Sequence, residues 1–158
     1  MVIHSIDPVY DESSRVLILG SFPSVRSREE GFFYGHPQNR FWKVLSVTFG
    51  CEVPETVEEK KRLLLERGIA LWDVIASCEI EGSSDNSIKN VLPNDITPII
   101  KASRIEKIFL NGRTAEKYYN KYIKSEIPIE AVCLPSTSPA NASWTLDVLS
   151  EAWGVIKF

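Results

Sequence analysis

The segment from Gly20 to Trp42 combines side chains that could hold a flat, polar ligand. It is rich in aromatic rings and contains three arginines, several serines and a side-chain amide at Asn39. Aromatic rings stack on planar ligands, hydroxyl and guanidinium groups bind phosphate, and an amide both donates and accepts hydrogen bonds. We therefore predict that this loop contributes to a ligand-binding site.

The loop follows an apolar run that predicts a buried strand. Val16–Leu19 is entirely aliphatic, and Gly20 and Pro23 then turn the chain. Strand-like runs of this kind cover Arg15–Gly20, Ile69–Ala76, Ile105–Leu110 and Glu130–Leu134. In α/β proteins, ligands bind beyond the carboxyl ends of the parallel strands. The loop therefore starts where a site is expected.

Helical patterns lie between these strands. They cover Gln38–Phe49, Lys60–Arg67 after a capping box of Thr56 and Glu59, a short stretch from Asn94 or Asp95 to Ala102, Arg113–Lys124, and a last helix from a Ser143 cap to Val155. Strands that alternate with helices indicate a parallel sheet covered on both faces. We predict an α/β fold, a three-layer α/β/α sandwich with a mainly parallel four-stranded sheet, formed by one domain over residues 1–158.

The composition is typical of a globular protein, with 44% hydrophobic and 25% charged residues. No apolar run approaches the roughly 20 residues that span a bilayer, and no signal-peptide pattern is present. The three cysteines are scattered and odd in number, which argues against a disulfide framework, a zinc site or an iron–sulfur cluster. We expect a cytoplasmic monomer that needs no cofactor or metal and has no membrane partner.

The net charge of −3 does not by itself indicate a nucleic-acid-binding protein. Basic residues are nevertheless concentrated in or beside the first loop, at Arg26, Arg28, Arg40 and Lys43. A local basic face is therefore compatible with the acidic composition.

A second polar segment follows the last predicted strand. Leu134–Asn141 holds three hydroxyl side chains, two prolines and an amide before a predicted helix. Such a loop can bind phosphate, although Ser, Pro and Asn also form ordinary turns. A third polar stretch, Glu79–Asn90, has few large apolar residues and is predicted to be a surface loop.

Two of these segments resemble motifs of the uracil-DNA glycosylase superfamily. Gly20-x-x-Pro23 and the His-Pro-Gln-Asn-Arg-Phe-Trp run at residues 36–42 are similar to its first motif, especially in the mismatch-specific uracil/thymine branch. Leu134–Asn141 resembles the second motif. Phe22 departs from the usual pattern, because it occupies the place of a catalytic Asn or Asp. Both motifs are similar to those of the DNA-deoxyinosine, or hypoxanthine-DNA, glycosylase branch.

The resemblance implies an enzyme that flips a damaged base out of DNA and hydrolyses its N-glycosidic bond, which leaves an abasic site. The damaged DNA implied as substrate carries a deaminated base, hypoxanthine. Neither motif contains a lysine placed to act as a nucleophile, so we expect a monofunctional glycosylase without a lyase step. Two alternatives remain open. One is a glycosylase for uracil, xanthine or another lesion, and the other is a non-catalytic nucleic-acid-binding module on the same scaffold.

The resemblance also implies residue roles. Tyr34 aligns with the aromatic residue that stacks on the base, with Phe33 and Phe22 as alternatives. Asp73 lies where the family has a base-reading Asn; an ionised carboxylate only accepts hydrogen bonds, which suits the N1–H of hypoxanthine. Asn39 is the remaining polar candidate for catalysis. The other predicted contacts are Gly20 and Ser21 for the base, and Ser24, Ser136, Ser138 and Asn141 for DNA.

Several of these residues also have a structural interpretation. Asn39 could make a contact at the start of its helix, and Asp73 could cap a turn after its strand. His36 precedes a proline and is expected to be structural, while no motif surrounds His4.

Overall fold

The strands of the protein form two sheets. The computed structural model describes residues 1–158, and its strands are β1 (Val2–Ile3), β2 (Val16–Gly20), β3 (Ile69–Asp73), β4 (Ile75–Glu79), β5 (Lys89–Pro93), β6 (Lys107–Asn111) and β7 (Ala131–Leu134). One sheet has the strand order β3-β2-β6-β7, and each pair of adjacent strands in it is parallel. The carboxyl ends of these strands meet at one edge, where Gly20 lies opposite Asp73 and Asn111 opposite Leu134.

Helices cover both faces of the parallel sheet. They are α1 (Val25–Glu30), α2 (Phe41–Phe49), α3 (Val57–Glu66), α4 (Thr97–Ala102), α5 (Arg113–Tyr122) and α6 (Leu146–Trp153). Successive side chains of a strand point to opposite faces. Ile18 therefore packs into a core with α2, α3 and α6, whereas Leu17 and Leu19 pack into a core with α4 and α5. This arrangement confirms the predicted three-layer sandwich and its four-stranded parallel sheet.

The second sheet is antiparallel, has the order β1-β4-β5 and was not predicted. The single strand predicted over Ile69–Ala76 is wrong, because the chain leaves the parallel sheet at Val74. There the Val74 N–H donates to the Gly20 carbonyl, and the Val74 carbonyl accepts from the Asn94 N–H, both at 2.8 Å. The chain continues as β4, which pairs with β5.

Two predicted helix starts are also wrong. Helix α2 begins at Phe41 rather than Gln38, because the side chain of Asn39 turns back and its Oδ1 accepts the Phe41 N–H at 3.0 Å. Thr145 rather than Ser143 caps α6, with its Oγ1 accepting the Val148 N–H at 3.3 Å. None of the helices is both long enough and apolar enough to cross a membrane.

Candidate active site

A cavity of about 450 Å³ lies beyond the carboxyl ends of the parallel strands. Its wall contains all but one of the predicted site residues, namely Gly20, Ser21, Phe22, Ser24, Tyr34, Asn39, Asp73, Ser136 and Ser138. The exception is Asn141, which lines a neighbouring cavity of about 620 Å³. The wall also includes Asn111, Thr137 and Asp85, which were not predicted as site residues.

Tyr34 is an aromatic side chain of the wall that stacks on another ring. Its ring lies 4.1 Å from that of Phe41, centroid to centroid, and its φ of 53° is a left-handed conformation that few residues other than glycine adopt. Phe33 is buried in the core and does not line the cavity, whereas Phe22 does. Burial raises the pKa of the Tyr34 hydroxyl, and the charge of Asp73 adds to the rise, so the hydroxyl stays protonated.

Gly20 permits the close approach of two site residues. A Cβ atom at this position would lie 2.4 Å from Asp73 Oδ1 and 2.7 Å from the Tyr34 hydroxyl oxygen. Both separations are far below van der Waals contact. The end of β2 therefore has to be glycine if Tyr34 and Asp73 are to meet above it.

A hydrogen-bond network connects the end of β6 to both predicted loops. Asn111 Nδ2 donates to the Tyr34 hydroxyl at 3.1 Å and to Thr137 Oγ1 at 3.0 Å, while Asn111 Oδ1 accepts the Thr137 backbone N–H at 3.1 Å. The Thr137 hydroxyl donates in turn to Asn39 Oδ1 at 2.9 Å. One signal could have revealed Asn111 in the sequence: it is a polar residue directly after the apolar run 108–110.

The network fixes the orientation of the Asn39 amide. Oδ1 accepts from the Phe41 backbone N–H at 3.0 Å and from the Thr137 hydroxyl at 2.9 Å. Because a backbone N–H can only donate, the atom facing Phe41 must be the oxygen. The Nδ2 group has no protein partner, and Asn39 lines the cavity. Asn39 therefore makes the structural contact at the helix start and also offers a hydrogen-bond donor to the site.

Asp73 is held by a residue from the N-terminal strand region. His4 Nε2 lies 2.8 Å from Asp73 Oδ2, and the two side chains are only 2% and 4% exposed. The Ile6 backbone N–H donates to His4 Nδ1 at 3.3 Å, so the proton of a neutral imidazole sits on Nε2 and is donated to Asp73. Oδ2 is thereby an acceptor, and Oδ1, beside Gly20, has no protein partner.

The pairing of His4 with Asp73 was missed because the two residues are 69 positions apart. Nothing near His4 in the sequence indicates that its ring reaches the end of β3. Asp73 is therefore more than the cap of a turn, since its buried carboxylate has a dedicated donor on one side and the cavity on the other.

The loop at 134–141 is shaped by its own hydroxyls. The Ser138 N–H donates to Ser136 Oγ at 3.1 Å, and the Ala140 N–H donates to Ser138 Oγ at 3.2 Å. Each hydroxyl accepts one bond and keeps its proton available for a ligand. Asn141 Nδ2 instead donates to the Ser136 carbonyl at 3.1 Å, so this side chain braces the loop.

Arginines near the cavity are engaged in the fold. The Arg40 guanidinium donates to three backbone carbonyls within residues 138–144. Arg26 pairs with Glu30 at 2.7 Å, and Arg28 Nη2 donates to the Gly82 carbonyl at 2.7 Å. Of the basic residues expected to form a local face, Arg28 and Arg40 are therefore engaged by backbone carbonyls, whereas Arg26 and Lys43 are exposed at the surface.

Ser24 is the N-cap of α1. Its Oγ accepts the Ser27 N–H and donates to Ser27 Oγ, each at 3.1 Å. Ser24 lines the cavity, but its hydroxyl proton is already used. The DNA contact predicted for Ser24 would require this cap to open.

A loop over residues 81–87 lies along another side of the cavity. It is tied to α1 by the Val25 N–H, which donates to Ser83 Oγ at 2.9 Å, and by Arg28. This tether places Asp85 in the cavity wall. Desolvation by the surrounding protein raises the pKa of Asp85 above that of an ordinary aspartate.

Asp73 and Asp85 are the carboxylates of the cavity wall, which contains no lysine or arginine. No group of three or more His, Cys, Asp or Glu side chains is arranged to hold a metal ion. The wall therefore offers carboxylate acceptors, an amide donor, hydroxyls and aromatic rings, but no amine nucleophile.

Comparison with known proteins assigns the chain to a family. The sequence model of the Uracil DNA glycosylase superfamily matches residues 8–157. The chain belongs to this superfamily. The match confirms the resemblance inferred from the two motifs and extends it over almost the whole chain.

Individual superfamily members agree with this assignment. The chain is 33% identical to the hypoxanthine DNA glycosylase of Methanosarcina acetivorans over 99% of both proteins, and 34% identical to that of Methanosarcina barkeri over 85% of both. A solution NMR structure from M. acetivorans, described provisionally as a uracil DNA glycosylase, is 32% identical and has a TM-score of 0.84. The alignment covers 99% of this chain and 96% of that structure, which confirms the predicted superfamily fold.

Proposed function

We propose that this protein is a DNA glycosylase that excises hypoxanthine. The observation that carries the proposal is the fixed polarity of the cavity. Asp73 Oδ1 can only accept a hydrogen bond, and the free side of Asn39 can only donate one. Hypoxanthine has an N1–H donor and the acceptors O6 and N7, so its edge complements this pair. Two relatives that bear the name hypoxanthine DNA glycosylase support the same substrate.

Adenine has the opposite polarity on this edge. Its N1 accepts and its N6 amino group donates, so the Asp73 carboxylate would face a lone pair. An unpaired buried acceptor costs about 1–3 kcal/mol, or more when it is charged. Adenine is thus rejected by its hydrogen-bonding pattern, although it is similar in size to hypoxanthine.

Tyr34 and Phe22 supply the stacking surface for the flipped base. Flipping costs a few kcal/mol, and the cost is lowest at a mismatched or damaged pair. Stacking of a base on an aromatic ring returns about 1–3 kcal/mol. The stacking of Tyr34 on Phe41 and its bond from Asn111 hold the ring in place before the base arrives.

Asn39 stabilises the leaving base. Breaking the N-glycosidic bond leaves negative charge on the purine, and the fixed Nδ2 group donates toward that charge. Asn39 does not deprotonate water, because its only acceptor atom already receives two hydrogen bonds. The absence of a lysine from the wall supports a monofunctional reaction that ends at an abasic site.

The DNA strand lies over the loop at 134–141. The free hydroxyl protons of Ser136 and Ser138 are placed to donate to phosphate oxygens, and Asn141 acts indirectly by bracing the loop. We propose that the enzyme acts as a monomer. We place this activity in the cytoplasm.

The test uses duplexes that carry deoxyinosine, uracil, xanthine or adenine at one position, followed by alkaline cleavage of abasic sites. We expect strand cleavage at deoxyinosine and none at adenine. Asn39→Ala should slow cleavage at least about tenfold while the fold and DNA binding are retained. Gln38→Ala is the matched control, because Gln38 is exposed and lies outside the cavity wall. An intact deoxyinosine strand at enzyme excess would contradict the proposed function.

A further inference from the structure

The proposed reaction needs a group that takes a proton from the attacking water, and the three predicted site residues considered first do not provide it. Phe22 stands at the position where the first motif usually has a polar catalyst, and a phenyl ring cannot accept a proton. Asn39 has its oxygen occupied by two donors. Asp73 has one oxygen bound to His4, and in the proposed complex its other oxygen receives the N1–H of the base.

Asp85 is the remaining carboxylate of the cavity wall. It lies in the short 3₁₀ turn Asp85–Ser87, inside the loop that α1 tethers. Its position between the two cavities is important, because Asp85 also lines the neighbouring cavity together with Ser136 and Ser138. Those hydroxyls are the proposed phosphate contacts. A carboxylate at this boundary faces the region between the flipped base and the DNA backbone, where the sugar must lie.

Two hydroxyl groups from different elements favour the ionised form of Asp85. The hydroxyls of Thr114, at the start of α5, and Ser21, after β2, both lower the pKa of Asp85 as hydrogen-bond donors to its carboxylate. The side chain itself is accessible to solvent, so a water molecule can reach it. A general base must be ionised and accessible to the water from which it takes a proton.

We propose that Asp85 is the general base of the glycosylase, an inference that rests on the proposed function. Asp85 accepts a proton from a water molecule as the water oxygen forms a bond to C1′ of the sugar. The C1′–N9 bond breaks, and its electron pair leaves with the base, where Asn39 stabilises the charge. The protonated Asp85 then releases its proton to solvent or to the departing base. The ionised form also stabilises the positive charge that develops on the sugar.

The protonation state of Asp85 depends on its neighbours. Desolvation raises the pKa of Asp85, the Thr114 hydrogen bond lowers it, the charge of Asp73 raises it, and the Ser21 hydrogen bond lowers it. The titratable and charged side chains around it are Arg28 on α1, Asp73 on β3, Cys78 on β4, Tyr34 and His36 from the first loop, and Arg113 and Glu116 on α5. Activity should therefore fall on the acid side at a higher pH than an ordinary aspartate would give.

The decisive variant is Asp85→Asn, measured by single-turnover cleavage of a deoxyinosine duplex at saturating enzyme. We expect the rate to fall at least about 100-fold. Binding of the duplex, measured by fluorescence anisotropy, should stay the same or become tighter, because a negative charge is removed near phosphates. Glu81→Gln, an exposed carboxylate of the same loop that does not line this cavity, should cleave at the wild-type rate.

The pH profile separates a general base from a residue that only shapes the loop. Thr114→Val removes a donor to the ionised carboxylate, which raises the pKa of Asp85 and should move the acid limb of the cleavage rate to higher pH. Asp85→Asn should remove that limb. The assignment would be overturned if the acid limb of the cleavage rate stayed at the wild-type pH in both variants. It would also be overturned if Asp85→Asn cleaved within about threefold of the wild-type rate.

The two proposals fail in different ways. Cleavage by the wild-type protein with full activity in Asp85→Asn would reject the general base and leave the glycosylase function intact. No cleavage of deoxyinosine by the wild-type protein would reject the function itself.

Discussion

At the scale of single residues, the proposed recognition of the base depends on the side chains that orient Asp73 and Asn39. Asp73 and Asn39 each have a fixed polarity, which His4 and Thr137 impose through hydrogen bonds of 2.8 Å and 2.9 Å. An amide free to rotate could present either its donor or its acceptor to the base. A fixed amide presents only one, so a base with the wrong edge leaves a buried polar group unpaired. In the proposed enzyme, selectivity therefore rests on His4 and Thr137 as well as on the two side chains that they orient.

His4→Ala should reduce both stability and selectivity. The change removes the donor to Asp73 Oδ2 and leaves a buried carboxylate without its partner, which should lower the free energy of unfolding by about 1–3 kcal/mol. The loosened carboxylate should also lower the ratio of deoxyinosine to adenine cleavage. Urea unfolding and single-turnover cleavage measure the two effects. His4→Gln, which restores an amide donor, should recover part of each.

The other histidine of the chain provides the control for the stability part of this prediction. His36 is half-buried, and its Nδ1 accepts only the neighbouring Gln38 N–H, at 3.1 Å. His36→Ala should change the free energy of unfolding by less than about 0.5 kcal/mol. Equal losses in the two alanine variants would show that His4 has no special role.

At the scale of elements, the site is assembled where strand ends meet loops. β2 ends at Gly20, β3 at Asp73 and β6 at Asn111, and each of these residues lines the cavity. The strands are rigid because they are buried in the sheet, while the loops approach them closely enough to need a glycine at the end of β2. The sheet therefore fixes the positions of the residues at the strand ends, and the loops supply most of the other side chains of the site.

Gly20→Ala should damage the site more than the fold. The added methyl group must displace the Asp73 carboxylate or the Tyr34 hydroxyl, which lie 2.4 Å and 2.7 Å from it. A displacement of about 1 Å can cost about 100-fold in rate, so we expect a loss of that size in single-turnover cleavage. Gly154→Ala is the control, because no heavy atom lies within 4 Å of its new Cβ. A Gly20→Ala enzyme with wild-type activity would contradict the close packing described at the end of β2.

At the scale of the whole molecule, the charge distribution predicts modest electrostatic attraction to DNA. The net charge is −3, and arginines near the cavity are bound to carbonyl or carboxylate groups of the protein itself. Arg113 is an exposed cation that lines the neighbouring cavity. Affinity for damaged DNA should therefore depend more on the flipped base than on a basic surface.

DNA binding should accordingly depend only weakly on salt. If few cations contact phosphates, the slope of log K against log salt should be no steeper than about −3, and Arg113→Gln should make it shallower by about 1. Anisotropy titrations between low and moderate salt measure the slope. Arg15→Gln, at the opposite end of β2 in an ion pair with Glu106, should leave it unchanged. A wild-type slope of about −6 or steeper would reveal a larger basic interface.

The sequence by itself determined the central sheet, the helices that cover it and most residues of the site. Aliphatic runs such as Val16–Leu19 reveal strands because burial requires local apolar patterns, and the motif around Asn39 is contiguous in the chain. These features depend on near neighbours, so they can be recognised before the chain is folded. The resemblance to the superfamily predicted Asp73 and Tyr34 as base-binding residues, and the structure has both in the cavity wall.

Only the tertiary structure decided how those residues are held and which others join them. His4 bonds to Asp73 across 69 positions, Tyr34 to Asn111 across 77, and Asn39 to Thr137 across 98. The polarity of Asn39 and the entry of Asp85 into the wall depend on contacts of this kind. A hydrogen bond between distant positions leaves no periodicity in the sequence, because its geometry exists only once the strands and loops have packed.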